Sequence, residues 1–464
     1  HEHAAPVFAM VLHSLAAGEL PPEGFNHGLL FLIPKTGTLL PQDTRPIAVT
    51  NADNRIIAKA VVAAITPALA ATLHAAQKGF IGGRVFEDHI HFLNEHFYEI
   101  VEGGDPDANY FILFMDTAKA FDSIDHGFIH AAVERAGLPA WVGNVVRCLL
   151  HACKVRPAIR GASDVWIVIK RGVKQGCPLS PLLFVICYDV LIQRIDDSHD
   201  VSPHACADDL AIATCDYANL WLPMRLVDSF RHASGLGINV AKTKIISARE
   251  SNIEDSLSTC PWPLVTLADE YKYLGILFGR LVDARRVFER PLASMVDRAT
   301  RFYPAIRALS HRNRVLAFNV FIITKLSYVL KFFHIPFTSA ALSCAEGITR
   351  YWARRLILRF NGGAYAYEFL VAPLNLASPS PPVRDAWALS LSTLAAQADL
   401  TEWDVQAVVI RHDDDRESMR ISRHVRSAAV DFVAMVLGEV ADGVPFSSDD
   451  HIRAAASAQR RHIY

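Results

Sequence analysis

Two stretches carry the reading of this chain: Tyr110-Phe-Ile-Leu-Phe-Met-Asp116 and, further along, Cys206-Ala-Asp-Asp-Leu-Ala-Ile-Ala213. The first is a continuous apolar run of strand length, fit for a strand buried on both faces, and it ends on an acid, Asp116. The second lies within a segment, residues 204–214, that reads as two short strands hinged at Asp208-Asp209. An ionised carboxylate beside a buried strand is costly unless it is paired or bound to a metal. Adjacent aspartates repel one another, so a shared divalent cation is the natural way to keep Asp116, Asp208 and Asp209 all ionised. Hard oxygen ligands select Mg²⁺, with Mn²⁺ as the alternative ion. Two such ions would activate a hydroxyl nucleophile and steady a leaving pyrophosphate, which points to nucleotidyl transfer. Taken alone, an Asp-Asp pair does no more than cap a turn.

Around these acids the pattern alternates between strands and helices. Residues 28–33 and 46–49 read as a hairpin whose long polar tip carries Lys35 and Arg45. Apolar spacing predicts helices over 54–74, 87–101, 126–136, 141–152, 181–195 and 224–234. A second hairpin is expected from 155–160 and 165–173, closed by Gly161-Ala-Ser-Asp164, and a further strand over 244–248. Hairpins among helices argue for an α+β fold, an antiparallel sheet with helices packed on one face.

Composition bounds the function. The chain has 464 residues, 51% apolar and 20% charged, with a formal net charge of −2, enough for a large core and two or three domains. Near-neutral charge means that nucleic acid binding must rest on local patches. One exists: residues 280–331 hold eleven Lys/Arg against three acids in a segment that reads as helical. Such a surface is either a solvated helix face or one that tracks a phosphate backbone. The eight cysteines show no metal-binding spacing and read as reduced thiols of an intracellular protein. No apolar run long enough to span a bilayer is evident, residues 60–73 being cut by Pro67, so no membrane partner is expected. The chain opens on His1 without a signal-peptide pattern and reads as a piece of a longer polypeptide. Ser378-Pro-Ser-Pro-Pro382 reads as a linker before an Ala-rich helical region.

Further motifs give the acids a context. Leu32-Ile-Pro-Lys35 with Arg45-Pro-Ile-Ala, Gln77-Lys-Gly-Phe80 with Gly83-Arg84, and Phe114-Met-Asp116 leading to Ala120-Phe121-Asp122 come first. Arg171-Gly-Val-Lys-Gln175-Gly-Cys-Pro178, Ala207-Asp208-Asp209, Gly237-Ile-Asn239 with Lys242, and Tyr273-Leu274-Gly275 follow. In this order the series resembles a reverse transcriptase, and within that family the non-LTR, LINE-type retrotransposon branch, related to group II intron enzymes. The resemblance implies a right-hand polymerase. Residues 1–26 would be an N-terminal helical remnant, 27–279 the fingers and palm, 280–360 a helical thumb, and 361–464 a helical region of unassigned role.

It also implies roles for single residues. Asp116, Asp208 and Asp209 match the acids that hold two Mg²⁺ ions. Lys35 and Arg45 match fingertip cations on the incoming triphosphate, and a Lys and an Arg on a hairpin suit a polyanion. Phe121 falls at the position that excludes a 2′-hydroxyl, Gln175 at a nucleotide contact, and Lys242 at the lysine that steadies pyrophosphate. Arg84 matches a residue near the template, and Tyr273, Leu274 and Gly275 the primer grip. The implied reaction is RNA-directed DNA synthesis, with an RNA template, a DNA primer or RNA–DNA hybrid, and dNTPs as partners. Copying into chromosomal DNA would require nuclear access. The chain departs from the family at Cys206, where an aromatic residue usually precedes Ala-Asp-Asp. Two alternatives stand beside this reading: a catalytically inactive RNA-binding scaffold, which retention of all three acids disfavours, and an RNA-directed RNA polymerase, which Phe121 disfavours.

Overall fold

The computed structural model describes residues 4–35, 44–101, 103, 105, 107–158, 165–250, 259–282, 284–324, 328, 329 and 332. The turn expected at 161–164, the linker at 378–382 and the region 361–464 lie outside the described residues. The N-terminal hairpin pairs β1 (Gly28–Pro34) with β2 (Thr44–Thr50), setting Leu29 opposite Val49, Phe31 opposite Ile47 and Ile33 opposite Arg45. Directly opposed residues share a sheet face, and on this face Leu29, Phe31, Ile33, Arg45 and Val49 are all exposed.

The central apolar run becomes β3 (Phe111–Ala118), which continues two residues past Asp116 instead of ending on it. β4 (Lys154–Pro157) joins β1 in parallel, and β5 (Ile167–Val168) pairs with β4. The second hairpin is therefore far shorter than residues 155–173 suggested, with only two residue pairs between β4 and β5. β6 (Ser202–Cys206) and β7 (Asp209–Thr214) form the hairpin that carries the Asp-Asp turn. With β8 (Gly237–Ile238), β9 (Lys244–Ser247) and β10 (Thr266–Leu267) they build a six-stranded sheet in the order β10-β9-β3-β7-β6, with β8 paired to the end of β3. All pairings in this sheet are antiparallel except β9 with β10.

Eight α-helices belong to this part of the described chain: α1 (Ala4–Ala16), α2 (Ala52–Thr72), α3 (Glu87–Val101), α4 (Ala120–Ser123), α5 (His126–Arg135), α6 (Ala140–Leu150), α7 (Ser180–Asp196) and α8 (Trp221–Ser234). Asp125 caps α5 by accepting hydrogen bonds from the Gly127 and Phe128 amides, and Gly235, at φ +78°, ends α8 in the left-handed conformation that glycine adopts without strain. α7 is apolar on nearly every side because it is the central helix behind the sheet. Its Phe184, Leu191 and Ile192 share one core with Leu113 and Met115 of β3, Leu210 and Ile212 of β7, Ile129 of α5 and Val227 of α8. Alternation along each strand then fixes the rest: Phe114 and Asp116 of β3 and Asp209 of β7 lie on the opposite face. There Phe114 stacks on Tyr271, with centroids 4.6 Å apart and planes at 8°, and also meets Tyr273 and Phe278.

Pro67 lies inside α2, in keeping with the helix expected over 54–74, and does not cut its apolar run. By length and composition alone this 21-residue helix is apolar enough to cross a membrane, yet its Ile57, Val61, Ile65 and Leu69 stripe is buried in the core just described.

The chain divides into two compact units, the first comprising residues 1–274 and 278–280, the second 275–277 and 281–464. The two strands β11 (Glu270–Tyr273) and β12 (Ile276–Gly279) lie where the division falls, joined through Leu274 and Gly275, both at positive φ. In the second unit, α9 (Ala284–Arg301), α10 (Tyr303–Ala308) and α11 (His311–Ala317) follow one another and lead into a π-helical turn at Phe318–Ile322. Several of its cations are engaged locally. Arg298 lies over the Phe321 ring and donates to its carbonyl, Arg301 pairs with Asp297 at 3.2 Å, and Arg307 covers Tyr303. Arg314 is buried, whereas Arg286 and Arg290 are exposed.

Candidate active site

Asp116 and Asp209 are directly opposed across β3 and β7, and Cys206 is directly opposed to Asp209 across β6 and β7. Cys206, Asp209 and Asp116 therefore form one row across three strands, with Asp208 on the two-residue turn at its end. Like charges placed directly opposite are destabilising. The consequence is visible in the acids: burial pushes the Asp209 carboxyl up to about 6, helped by Asp208 and Asp116. Burial also raises Asp208, with Asp116 adding to the shift and Arg45 opposing it. Arg45 thus acts on the site electrostatically although it stands on the distant hairpin.

Asp116 leans toward Lys242, whose Nζ is 3.5 Å from its Oδ2, and the Asp116 carbonyl accepts from the Asn239 amide. The short 3₁₀ turn Val240–Lys242 that follows β8 delivers this lysine. Among the described residues no three His, Cys, Asp or Glu side chains already converge on a single point as metal ligands. The donor set nonetheless fits a hard divalent cation: three carboxylates, two of them raised by burial and further by one another's charge, form an excess of negative charge that such an ion would neutralise.

Three other expected residues gather on the Gln175 side. The Gln175 carbonyl accepts from the Ala48 amide of β2, and its side chain donates to the Asp122 carboxylate at 3.0 Å. Gly176, at φ +120°, permits this close approach, since a Cβ there would sit 2.5 Å from the Ala48 carbonyl oxygen. Phe121 stacks on Phe184 at 4.8 Å and meets the edge of Phe80, whose own ring is exposed. Asp122 is raised by burial, with the Gln175 hydrogen bond and the Lys119 and Lys35 charges opposing the shift.

Two of the expected residues have their side chains engaged within the protein. The first is Arg84. Its Nη1 donates to the carbonyls of His74 and Gln77, and its Nη2 to those of Ala70 and Leu73, so the guanidinium closes the C-terminal end of α2 and ties down the segment beyond it. The Tyr273 side chain is likewise no free grip. It is buried against Phe114, and its hydroxyl donates to the His204 carbonyl at 2.8 Å.

Several residues that sequence reasoning did not single out surround the acids. Thr117 Oγ1 donates to the Asp208 carbonyl at 3.1 Å from the helix side of the sheet and lies 3.4 Å from the buried Tyr188 hydroxyl. Tyr271 is pushed up to about 12 by burial, with Asp116 and Asp209 adding to it, so its ring borders the acids. Period-two alternation around Tyr273 offers a signal for Tyr271, since both belong to one short strand and face Phe114. Cys206 is a half-buried thiol raised to about 11 by burial and by Asp209 and Asp208, which keeps it protonated and weakly nucleophilic.

The chain is similar to known proteins. The family model described as reverse transcriptase (RNA-dependent DNA polymerase) matches residues 33–278. The chain is 30% identical over 274 residues to a retrovirus-related Pol polyprotein from a type-1 retrotransposable element R2 of Popillia japonica, covering 53% of this chain and 37% of that one. It is 25% identical over 343 residues to the transposon TX1 149 kDa protein of Xenopus laevis, covering 70% and 26%. To the Pol polyprotein of element R2DM of Drosophila melanogaster it is 24% identical over 360 residues, covering 72% and 32%. The chain thus spans a quarter to just over a third of the length of these relatives. Among solved structures, apo telomerase from Candida tropicalis is similar with a TM-score of 0.46 at 12% identity, over 93% of this chain and 74% of that one. With a match over more than half of its length, and with Asp116 and Asp209 in register on one sheet and Asp208 on the adjoining turn, this chain belongs to the reverse transcriptase family, in its non-LTR retrotransposon branch.

Proposed function

We propose that the chain catalyses RNA-directed DNA synthesis for a mobile element, extending a primer 3′-OH with dNTPs on an RNA template. The observation that carries this reading is the opposition of Asp116 and Asp209 across two central strands with Asp208 on the adjoining turn. Reverse transcriptase domains generally use divalent ions, and Mg²⁺, or Mn²⁺ in its place, suits these hard carboxylate donors. When bound, such ions would supply a deprotonated nucleophile and charge neutralisation on the leaving pyrophosphate.

The protein's own groups divide the remaining work. Asp116, Asp208 and Asp209 hold the ions. Lys35 and Arg45, one on each strand end of the hairpin, attract the triphosphate. Phe121, backed by Phe184, closes the space beside the sugar, so a 2′-hydroxyl meets a ring held from behind. The Gln175 amide nitrogen is taken up by Asp122, which presents its carbonyl oxygen to a hydroxyl donor on the nucleotide. Lys242 sits beside Asp116, from where its ammonium can donate a proton to or screen the departing pyrophosphate. The Leu274-Gly275 turn supports the primer end. Residues 27–279 would supply fingers and palm and 280–360 the thumb, with Arg286 and Arg290 outermost on a template–primer hybrid. Work on chromosomal DNA would place the protein in the nucleus.

The test is extension of an annealed DNA primer on an RNA template with dNTPs and Mg²⁺, comparing the wild type with Asp208→Asn. The expected outcome is extension by the wild type and a loss of at least ~10³-fold in the variant at unchanged fold, in line with removing a residue that stabilises the transition state. A folded wild type that binds hybrid and adds no nucleotide would overturn the reading.

A further inference from the structure

The segment Gln77–Phe80 lies on no regular element, yet it makes close contacts with the turn that carries Asp208. Gln77 is fully buried, and its Oε1 accepts from two amides, Gly79 at 2.8 Å and Ala207 at 2.9 Å. Its Nε2 donates back to the Ala207 carbonyl at 3.3 Å. One side chain thus satisfies both backbone groups of the residue immediately before Asp208. On either side the main chain runs as a strap along β6, with the Ala205 amide donating to the Ala76 carbonyl and the Lys78 amide to the Ala205 carbonyl.

Ala207 needs such support. It adopts φ +58°, a left-handed conformation uncommon for a residue with a Cβ, in the first position of a two-residue hairpin turn. Strain of this kind persists only where the surroundings over-determine it. Gly79 completes the clamp, since a Cβ there would lie 2.3 Å from the Ala207 nitrogen, so only glycine lets the strap come this close. The strap is itself anchored from behind: Arg84 holds the His74 and Gln77 carbonyls, His89 Nε2 lies 2.9 Å from the Ala76 carbonyl, and Lys78 pairs with Asp88 at 3.0 Å.

We infer that Gln77 is a positioning residue for catalysis, setting the Ala207–Asp208 turn so that the Asp208 carboxylate meets the divalent ion. The inference rests on the reading of Asp208 as a metal ligand. Gln77 is too deeply buried to touch substrate and acts only through the turn. Its loss should therefore weaken metal binding and the chemical step while leaving nucleotide capture unchanged. Outer-shell partners of metal ligands commonly cost 10–100-fold in affinity or activity when removed.

The test uses the whole chain with Gln77→Met, which fills the same space without hydrogen bonds, and Gln77→Glu, which keeps an acceptor for the two amides. Two readouts are taken: the split between kcat and KM for dNTP in primer extension, and Mn²⁺ binding followed by electron paramagnetic resonance in a complex with chain-terminated primer, RNA template and dNTP. For Gln77→Met the expected result is a kcat lowered roughly 10–100-fold with KM for dNTP within about twofold, and Mn²⁺ affinity weaker by about tenfold. Gln77→Glu should fall between Gln77→Met and the wild type in both readouts. If Gln77→Met does not fold, a weakened Mn²⁺ affinity and lowered kcat in Gln77→Glu support the inference, and wild-type values in Gln77→Glu overturn it. A folded Gln77→Met with wild-type Mn²⁺ affinity and kcat overturns the inference while the wild type's own activity upholds the function. A wild type that neither extends primer nor binds Mn²⁺ overturns the functional reading and this inference with it.

Discussion

The acid-bearing sheet and the β1–β2 hairpin contribute charges of opposite sign to the same proposed site and are built in opposite ways. Around Asp116, Asp208 and Asp209 nearly every neighbouring group is fixed. Gln77 holds the Ala207 backbone, Thr117 holds the Asp208 carbonyl, and the Asn239 amide holds the Asp116 carbonyl. On the hairpin, Lys35 and Arg45 stand exposed among Leu29, Phe31, Ile33 and Val49. The difference follows from what each charge must do. Carboxylates that share small cations need sub-ångström placement and are held against their own repulsion. Cations that meet a flexible polyphosphate act over longer distances and can remain solvated until it arrives.

This contrast can be broken where the rigid half is anchored. Arg84→Ala would take the guanidinium from four carbonyls at and beyond the end of α2, of which the His74 carbonyl keeps the Gln77 amide as a donor. Leaving buried carbonyls without a partner costs about 1–3 kcal/mol, and the loss of a half-buried guanidinium is expected within that range. Denaturant unfolding should show that loss, with KM for the template unchanged. A raised template KM at unchanged stability would instead make Arg84 a template contact.

A second anchor predicts a pH response. His89 on α3 and His204 on β6 bring their Nδ1 atoms to 3.0 Å with both rings buried. Burial lowers His89 to about 4, Lys78 adding to it, and takes His204 well below its ordinary range, with His89, His96 and Lys78 contributing. The folded state therefore binds fewer protons than the unfolded chain. Stability from this pair is complete above about pH 6.5 and is lost as pH falls from there through about 4. For His89 alone the shift from 6.5 to about 4 corresponds to ~3 kcal/mol. Unfolding measured across that window should show the decline, and His89→Gln should flatten it. Equal slopes in both proteins would contradict the assignment.

On the exposed half the expected effect is smaller. Arg45→Ala should raise KM for dNTP by about tenfold, ~1.4 kcal/mol, with stability unchanged and with a defect that shrinks at high salt. A fall in stability comparable to that of Arg84→Ala would erase the contrast between the two halves.

What could be read from the sequence followed local chemistry. The apolar run 110–115, the Asp-Asp hinge and the helix that became α7 were legible because period and length state them directly. The exact end of β3 and the parallel β1–β4 pairing were not, because each is fixed by a strand far away in sequence. The same holds within the site. The three acids announced themselves by cost, whereas Gln77 stood out only as the first residue of a motif, because its partner is a turn 130 residues away. Arg84 shows the converse, since the resemblance implies a place near the template while nothing local in the sequence announces the four carbonyl partners of its guanidinium.

The central claim is that Asp116, Asp208 and Asp209 are held together at a cost in stability that a divalent cation removes. The measurement that tests it most directly is thermal unfolding at neutral pH of the wild type and Asp209→Asn, each in chelator and in Mg²⁺. The account predicts that the variant melts above the wild type in chelator, because one of two opposed carboxylates has gone, and that Mg²⁺ raises the wild type while barely moving the variant. A variant that melts below the wild type in chelator, with neither protein responding to Mg²⁺, would contradict it.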